Sequence, residues 1–249
     1  MIKHIFYNIF VIQISVFNLF AFEYEAYEIL DSMIISLNPF SSKSMMKKEI
    51  IKSNQITHIS TFESYSNQFG TDVMIKYIEP ENISSNAFLS INDGDEIWVY
   101  NSKLNRSRKI INDAKFENLQ GGDFTYFDFS GKGRWRVNYK IKKINSNDKK
   151  HYLLLLKPLL NEKTKYDSLK VYINKSSYYP DRVLYYKNNI KFKTLRFKEL
   201  VDIQGINTSM LLNMKNHLNN SETNIRIKEI IYNINLDKNF FSKENIISH

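Results

Sequence analysis

Residues 86–110, NAFLSINDGDEIWVYNSKLNRSRKI, hold the pattern on which the reading of this chain turns. Two apolar runs flank Asp93-Gly94, and glycine accepts the positive φ that a tight turn needs, so the stretch predicts a β-hairpin. Trp98 and Tyr100 stand two apart on its second strand. A polar turn follows, then a basic strand with Arg106 and Arg108. A few residues on, QGGDFTYFDF (120–129) sets a glycine pair and a burst of aromatics around Asp123 and Asp128.

The same run-and-turn rhythm extends in both directions. On the N-terminal side, IIKSNQITHISTFES (50–64) and TDVMIKYIEP (71–80) read as extended runs parted by YSNQFG. On the other side come SRKIIN, RWRVNYKIKKI, HYLLLLKPL, SLKVYINK, DRVLYYK, IKFKTLRFKELVDI, SMLLNMKN and TNIRIKEIIYNI, with Asn188-Asn189 as another tight hairpin. Before them, EYEAYEILDSMIISL (23–37) places Ala26, Ile29, Leu30, Met33, Ile34 and Leu37 at spacings of three and four. That spacing predicts an amphipathic helix ending before Asn38-Pro39. NPFSSKSMMKKE (38–49) reads as a polar loop, with strands from about residue 46. A helix followed by about ten short strands, with no alternating helices, predicts a mainly β (α+β) fold. Its large antiparallel sheet should curl toward a barrel. EIWVY and HYLLLL are apolar at both parities, so both faces of the sheet should be covered there, one of them by the 24–37 helix.

The chain has 249 residues with 7 Gly and 4 Pro, which favours one domain, 22–249, over two joined by a linker. It follows a signal peptide at 1–21: Lys3, then an apolar run without charge until Glu23, with Ala21 as the cleavage point and an uncleaved anchor as the alternative. The net charge of +9 is spread along the chain, not gathered in one patch. The absence of cysteine excludes disulfides, thiolate metal sites and a cysteine nucleophile.

Searches for catalytic patterns end in structural readings. The histidines, His4, His58, His151, His217 and His249, are scattered and fit no metal-binding spacing, so no metal or other cofactor is expected. There is no G-x-S-x-G elbow. Gly131 and Gly133 in SGKGRWR lack the spacing of a phosphate loop and read as a hairpin turn. NDGDE lacks the positions of a calcium loop. Asp123 and Asp128, five apart on an extended segment, point to opposite faces, and are expected to cap turns or pair with Arg106 and Arg108. RWRVNYKIKK could stack bases while binding phosphates. Strict alternation instead predicts an amphipathic strand with Trp135, Val137, Tyr139 and Ile141 inward, so no nucleic-acid partner is expected.

At the opening stretch the chain resembles the outer-membrane lipoprotein-sorting proteins, the LolA-like carriers, in their divergent branch. The likeness is carried by Trp98 and Tyr100 (W-x-Y), Arg106 and Arg108 (R-x-R), and Gly121, Asp123, Phe124, Tyr126 and Asp128 (G-x-D-F-x-Y-x-D), and it spans about residues 24 to 241. It departs at Ser102 and Phe127, where the family tends to have proline and glutamate.

The resemblance implies a half-open antiparallel β-barrel whose apolar concave face is closed by helices. It also implies a periplasmic carrier that shelters acyl chains of lipoproteins, or another lipid, without covalent chemistry. Its partners would be an inner-membrane donor and an outer-membrane acceptor. Under this resemblance Trp98, Tyr100, Phe124, Tyr126, Leu154, Leu156, Val171 and Ile173 are candidate cavity wall, while Arg106, Arg108, Gly121, Asp123 and Asp128 fix the adjoining loop. Two other classes compete: a lipid-sensing regulatory module bound to a membrane protein, and an envelope-lipid enzyme using Asp123 or Asp128.

Overall fold

The helix expected at the front of the chain is present in the computed structural model, which describes residues 24–37, 39–130, 134–160, 164–237 and 239–247. It occupies residues 24–37 (α1) and turns Ala26, Ile29, Leu30 and Met33 into the core while Tyr24 and Ile35 stay exposed. The 1–21 signal and the Gly131/Gly133 turn lie outside the described residues, and no described helix is long and apolar enough to cross a membrane.

Thirteen antiparallel strands are found among the described residues. The first six are β1 (Ser41–Lys52), β2 (Gln55–Asn67), β3 (Asp72–Glu79), β4 (Ala87–Ile91), β5 (Glu96–Asn101) and β6 (Arg106–Ile110). A connecting segment, 111–138, ends in the helical turn α2 (Trp135–Asn138). The remaining seven are β7 (Tyr139–Ile144), β8 (His151–Pro158), β9 (Ser168–Asn174), β10 (Pro180–Lys187), β11 (Ile190–Ile203), β12 (Ile206–Asn216) and β13 (Ser221–Tyr232). The spatial order is β6-β5-β4-β3-β2-β1-β13-β12-β11-β10-β9-β8-β7. The chain therefore starts at the middle of the sheet, meanders out to one edge, crosses to the other edge through 111–138, and meanders back until β13 pairs with β1. β6 and β7 remain unpaired with each other, so the curled sheet is a half-open barrel.

Short turns make this meander possible. Asn188-Asn189 is a two-residue hairpin between Lys187 and Ile190, both asparagines at positive φ (51° and 60°), as a mirror-image turn requires. Ser53-Asn54 does the same between β1 and β2, dividing what reads in sequence as the single run 50–64. Asp93-Gly94 sits in the loop between Ile91 and Glu96, also with positive φ.

Two sequence expectations are corrected. The expected polar loop over 38–49 gives way to a strand: β1 begins at Ser41, and Ser41, Ser42 and Ser44 are buried. Their hydroxyls are satisfied across the strands, Ser42 Oγ to Ser66 Oγ at 2.8 Å and Ser41 Oγ to the Ile234 carbonyl at 2.7 Å, which removes the usual penalty for burying them. RWRVN is a helical turn instead of a strand, so Trp135 is buried but Val137 is exposed, while Tyr139 and Ile141 face inward as expected.

Each face of the sheet carries an apolar layer. The concave layer joins α1 to Phe62, Phe88, Ile97, Leu154, Leu156, Val171, Ile173, Leu195 and Ile225 among others. The convex layer is smaller: Met74, Ala87, Leu89 and Tyr100, with Trp98, are roofed by Phe240, Phe241 and Ile246 of the C-terminal segment. Both faces of EIWVY are thus covered, the second by a segment the sequence pattern did not single out.

Candidate functional site

The mouth of the half-barrel is filled by two bodies: α1, and a small hairpin within the 111–138 link. That hairpin is held by Leu119 N–H to the Phe124 carbonyl at 2.8 Å and by the bridge between Asn118 and Thr125. Its glycine pair has two separate uses. Gly121 sits at φ 72°, a conformation costly for other residues. Gly122 lies so close to β13 that a Cβ would come within 3.2 Å of Thr223 Oγ1.

Asp123, next in sequence, is the peg of this hairpin and is 2% exposed. Its carboxylate accepts hydrogen bonds from the Ser221 hydroxyl and, at 2.8 Å, from Thr223 Oγ1, which in turn accepts the Asp123 N–H at 2.8 Å. Lys193 Nζ donates to the Asp123 carbonyl at 2.6 Å, and burial lowers the pKa of that ammonium. Asp128 closes a local turn by accepting Thr125 N–H at 2.7 Å and Thr125 Oγ1 at 2.9 Å. Of the two expected arrangements, turn capping or pairing with Arg106 and Arg108, Asp128 takes the first at Thr125, and neither aspartate pairs with the arginines: β13 and β11 supply the partners of Asp123.

α1 closes the other half of the mouth. Its apolar stripe lies in the same layer as Leu154, Leu156, Val171 and Ile173. Its polar side is tied by Glu25 to Lys143, by Asp31 to Arg136 at 2.6 Å, and by Ser36 Oγ to the Tyr178 carbonyl at 3.0 Å. Exposed ion pairs of this sort contribute at most about 1 kcal/mol each, so the apolar stripe decides whether the helix docks.

Between α1, the hairpin and the sheet a cavity of about 180 Å³ remains. It continues into a pocket of about 20 Å³ under Met33, Trp135 and Tyr185, with Leu37, Asp128, Leu195 and Phe197 bordering both. One wall is apolar, built from Met46, Phe124, Phe129, Phe197, Leu212 and Ile227. The other wall is lined with hydroxyls: Ser42, Ser44, Ser64 and Ser66 across the β1–β2 ladder, and Thr208 and Ser209 on β12. Burial, with the charge of Asp128 nearby, pushes the phenols of Tyr166 and Tyr185 well up, so both remain neutral hydroxyls.

The candidate wall residues divide into four groups. Phe124 lines the cavity. Leu154, Leu156, Val171 and Ile173 form the packed floor beneath α1 and border no described cavity. Tyr126 belongs to the concave layer but faces a separate pocket at the β4–β6 edge. Trp98 and Tyr100 pack in the convex layer, because alternation along β5 sends Ile97 and Val99 to the concave side and their neighbours through to the other. Neither borders the hollow under α1, while Tyr100 lines the β4–β6 pocket together with Tyr126. Sequence reasoning missed the serine and threonine wall, since buried hydroxyls that bond across strands look like loop residues in a one-dimensional pattern. Among the described residues no three His, Cys, Asp or Glu side chains gather as a metal site would require.

An open antiparallel half-barrel, plugged by one amphipathic helix and a link between its two edges, defines the LolA-like class of fold. Residues 70–248 match a family model described as "uncharacterized protein", and the chain belongs to that family. No curated protein matches the chain in sequence. Solved structures share its fold, among them the following three. A DUF1329 family protein from Desulfovibrio piger is 20% identical with a TM-score of 0.79, covering 90% of this chain and 99% of that one. A putative outer membrane lipoprotein-sorting protein domain from Vibrio parahaemolyticus is 18% identical with a TM-score of 0.80 and the same two coverages, 90% and 99%. A LolA superfamily protein from Nitrosomonas europaea is 16% identical with a TM-score of 0.72, covering 88% of this chain and 98% of that one.

Proposed function

We propose that the chain is a carrier that shelters the hydrocarbon of a lipid or lipoprotein beneath α1, without covalent chemistry. It would work in the periplasm, taking its load from an inner-membrane donor and passing it to an outer-membrane acceptor. The observation that carries this reading is the docking of α1. An amphipathic helix lays Ala26, Ile29, Leu30 and Met33 onto an apolar concave sheet that its own ion pairs could not hold closed.

The magnitudes fit an exchange. Each methylene moved from water to an apolar site is worth about 0.8 kcal/mol, so a sixteen-carbon chain crossing water unaided faces a penalty on the order of 12 kcal/mol. The cavity as it stands is far too small for such a chain, since a hollow of roughly 150 Å³ accommodates only a benzene-sized molecule. The apolar stripe of α1 occupies the place of the missing hydrocarbon. Burying its side chains gives about 1.5–3 kcal/mol for each large one, so an incoming acyl chain replaces most of what is lost when the helix lifts. A closed empty state and an open loaded state then differ by far less than either contributes in gross terms.

Titration of the delipidated chain with a fluorescent fatty acid or lipopeptide tests this. Saturable uptake with native circular dichroism is expected; absence of uptake by folded protein removes the reading.

A further inference from the structure

Arg106 and Arg108, deprived of the aspartates expected to pair with them, face a pocket of their own. Two residues apart on the edge strand β6, they share the face of Ile110, which lies in the concave layer. Together with Phe88, Val99, Leu119 and Tyr126 they enclose a cavity of about 380 Å³ between the end of the sheet and the 119–126 hairpin. No aspartate or glutamate lines it, and neither arginine forms an ion pair among the described residues. The charge of Arg108 acts on the Tyr126 phenol, and Glu117, whose charge also reaches Tyr126, is not part of the lining.

A third cation stands behind this wall. Lys48 of β1 is 3% exposed; its ammonium lies over the Tyr77 ring, 5.4 Å from the centroid, and its hydrogen-bond partners, the Tyr77 hydroxyl and the Gln120 carbonyl, are each at 3.5 Å, the outer limit of a hydrogen bond. Both partners line the cavity. A buried cation with three donors and two long contacts is under-satisfied, and burial lowers its pKa to about 8. Three positive groups around one hollow, without a carboxylate among its lining residues, make a complement for an anion. The guanidinium fork matches the oxygens of a phosphate in particular.

We propose that this pocket binds a phosphate group, either free or as the head of an anionic lipid. The apolar side of the lining, Phe88, Val99 and Leu119, belongs to or packs on the concave layer, and would accept the first carbons attached to a lipid phosphate. The inference stands on this pocket alone and does not need the carrier reading.

Calorimetric titration of the full chain, at fixed ionic strength, with dioctanoyl phosphatidic acid, dioctanoylglycerol and inorganic phosphate tests it. Phosphatidic acid is expected to bind at least tenfold more tightly than the uncharged dioctanoylglycerol. The R106A/R108A double variant, whose changes fall on exposed side chains, should erase that difference while leaving dioctanoylglycerol binding unchanged. Lys48→Met should weaken phosphatidic acid several-fold. Arginine-dependent binding of inorganic phosphate with equal affinity would identify a site for the free ion, and a large preference for phosphatidic acid a lipid-head site; either supports the proposal. Equal affinities for native chain and double variant, or binding of neither inorganic phosphate nor phosphatidic acid by folded protein, overturn it. Failure of the carrier reading would show separately, as absent uptake of uncharged lipid or fatty acid with arginine-dependent phosphate binding intact.

Discussion

Removing the Asp123 carboxylate would leave the Ser221 and Thr223 hydroxyls of β13 without their shared acceptor in a buried site. Buried groups stripped of a partner cost about 1–3 kcal/mol each, so Asp123→Ala should lower stability by about 3 kcal/mol, measurable as a fall in the urea midpoint. Asp128→Ala removes the acceptor of Thr125 N–H and Oγ1 and the carboxylate beside the buried phenols of Tyr166 and Tyr185, and should lower stability by a similar amount. Lys48 gives the opposite sign. Its pKa falls from 10.5 to about 8 on folding, so below pH 8 it is charged in both states and only the native state bears the desolvation. Between pH 8 and 10.5 the native state releases the proton first, the unfolded state binds more protons, and stability rises with pH, by on the order of 3 kcal/mol in total. Lys48→Met should therefore be more stable than the native chain at pH 7 in denaturant titrations, with the advantage gone by pH 10.5. A residue retained against stability marks function more often than packing. That Asp123 needs a partner was legible, since a buried carboxylate is costly alone; which partners it takes was not, because Ser221 and Thr223 lie about a hundred residues away.

At the scale of elements, α1 is the part most readable in sequence and the part on which the proposed sheltering of lipid rests. Its three-and-four spacing fixes the apolar stripe, and that stripe has nowhere to go but the sheet. Because the chain contains no cysteine, Glu25→Cys and Lys143→Cys can be joined by a thiol-reactive bismaleimide with an internal disulfide, which pins α1 to β7. Pinning is expected to abolish uptake of a fluorescent fatty acid, and reduction to restore it; unchanged uptake in the pinned state would mean that α1 is not the gate. The elements that sequence misread share one cause. Ser41, Ser42 and Ser44 satisfy their hydroxyls only after β2 and the segment beyond β13 are in place, and RWRVN alternates like a strand but lies where the link must bend into β7. Local pattern cannot report a partner supplied by distant chain.

For the whole molecule, the order of strands carries the functional consequence. Starting at the centre and finishing there leaves β6 and β7 as opposite edges, and the only chain between them must pass through 111–138. That link brings the small hairpin into the mouth of the half-barrel, where Asp123 pegs it, and sets Tyr126 against Arg108 at the rim. The C-terminal segment returns to roof the convex face over Trp98, Tyr100 and Leu89, which keeps that apolar patch out of water.

The sequence alone determined that this chain is a run of antiparallel strands behind one amphipathic helix, because periodicity and turn residues are local properties written in order along the chain. Tertiary structure alone decided which aromatics face the hollow, that one side of its wall is lined with hydroxyls, and that the two arginines stand free of the aspartates. Those facts depend on strand alternation combined with register, and on hydrogen-bond partners far apart in sequence. Only the folded sheet brings them within reach of one another.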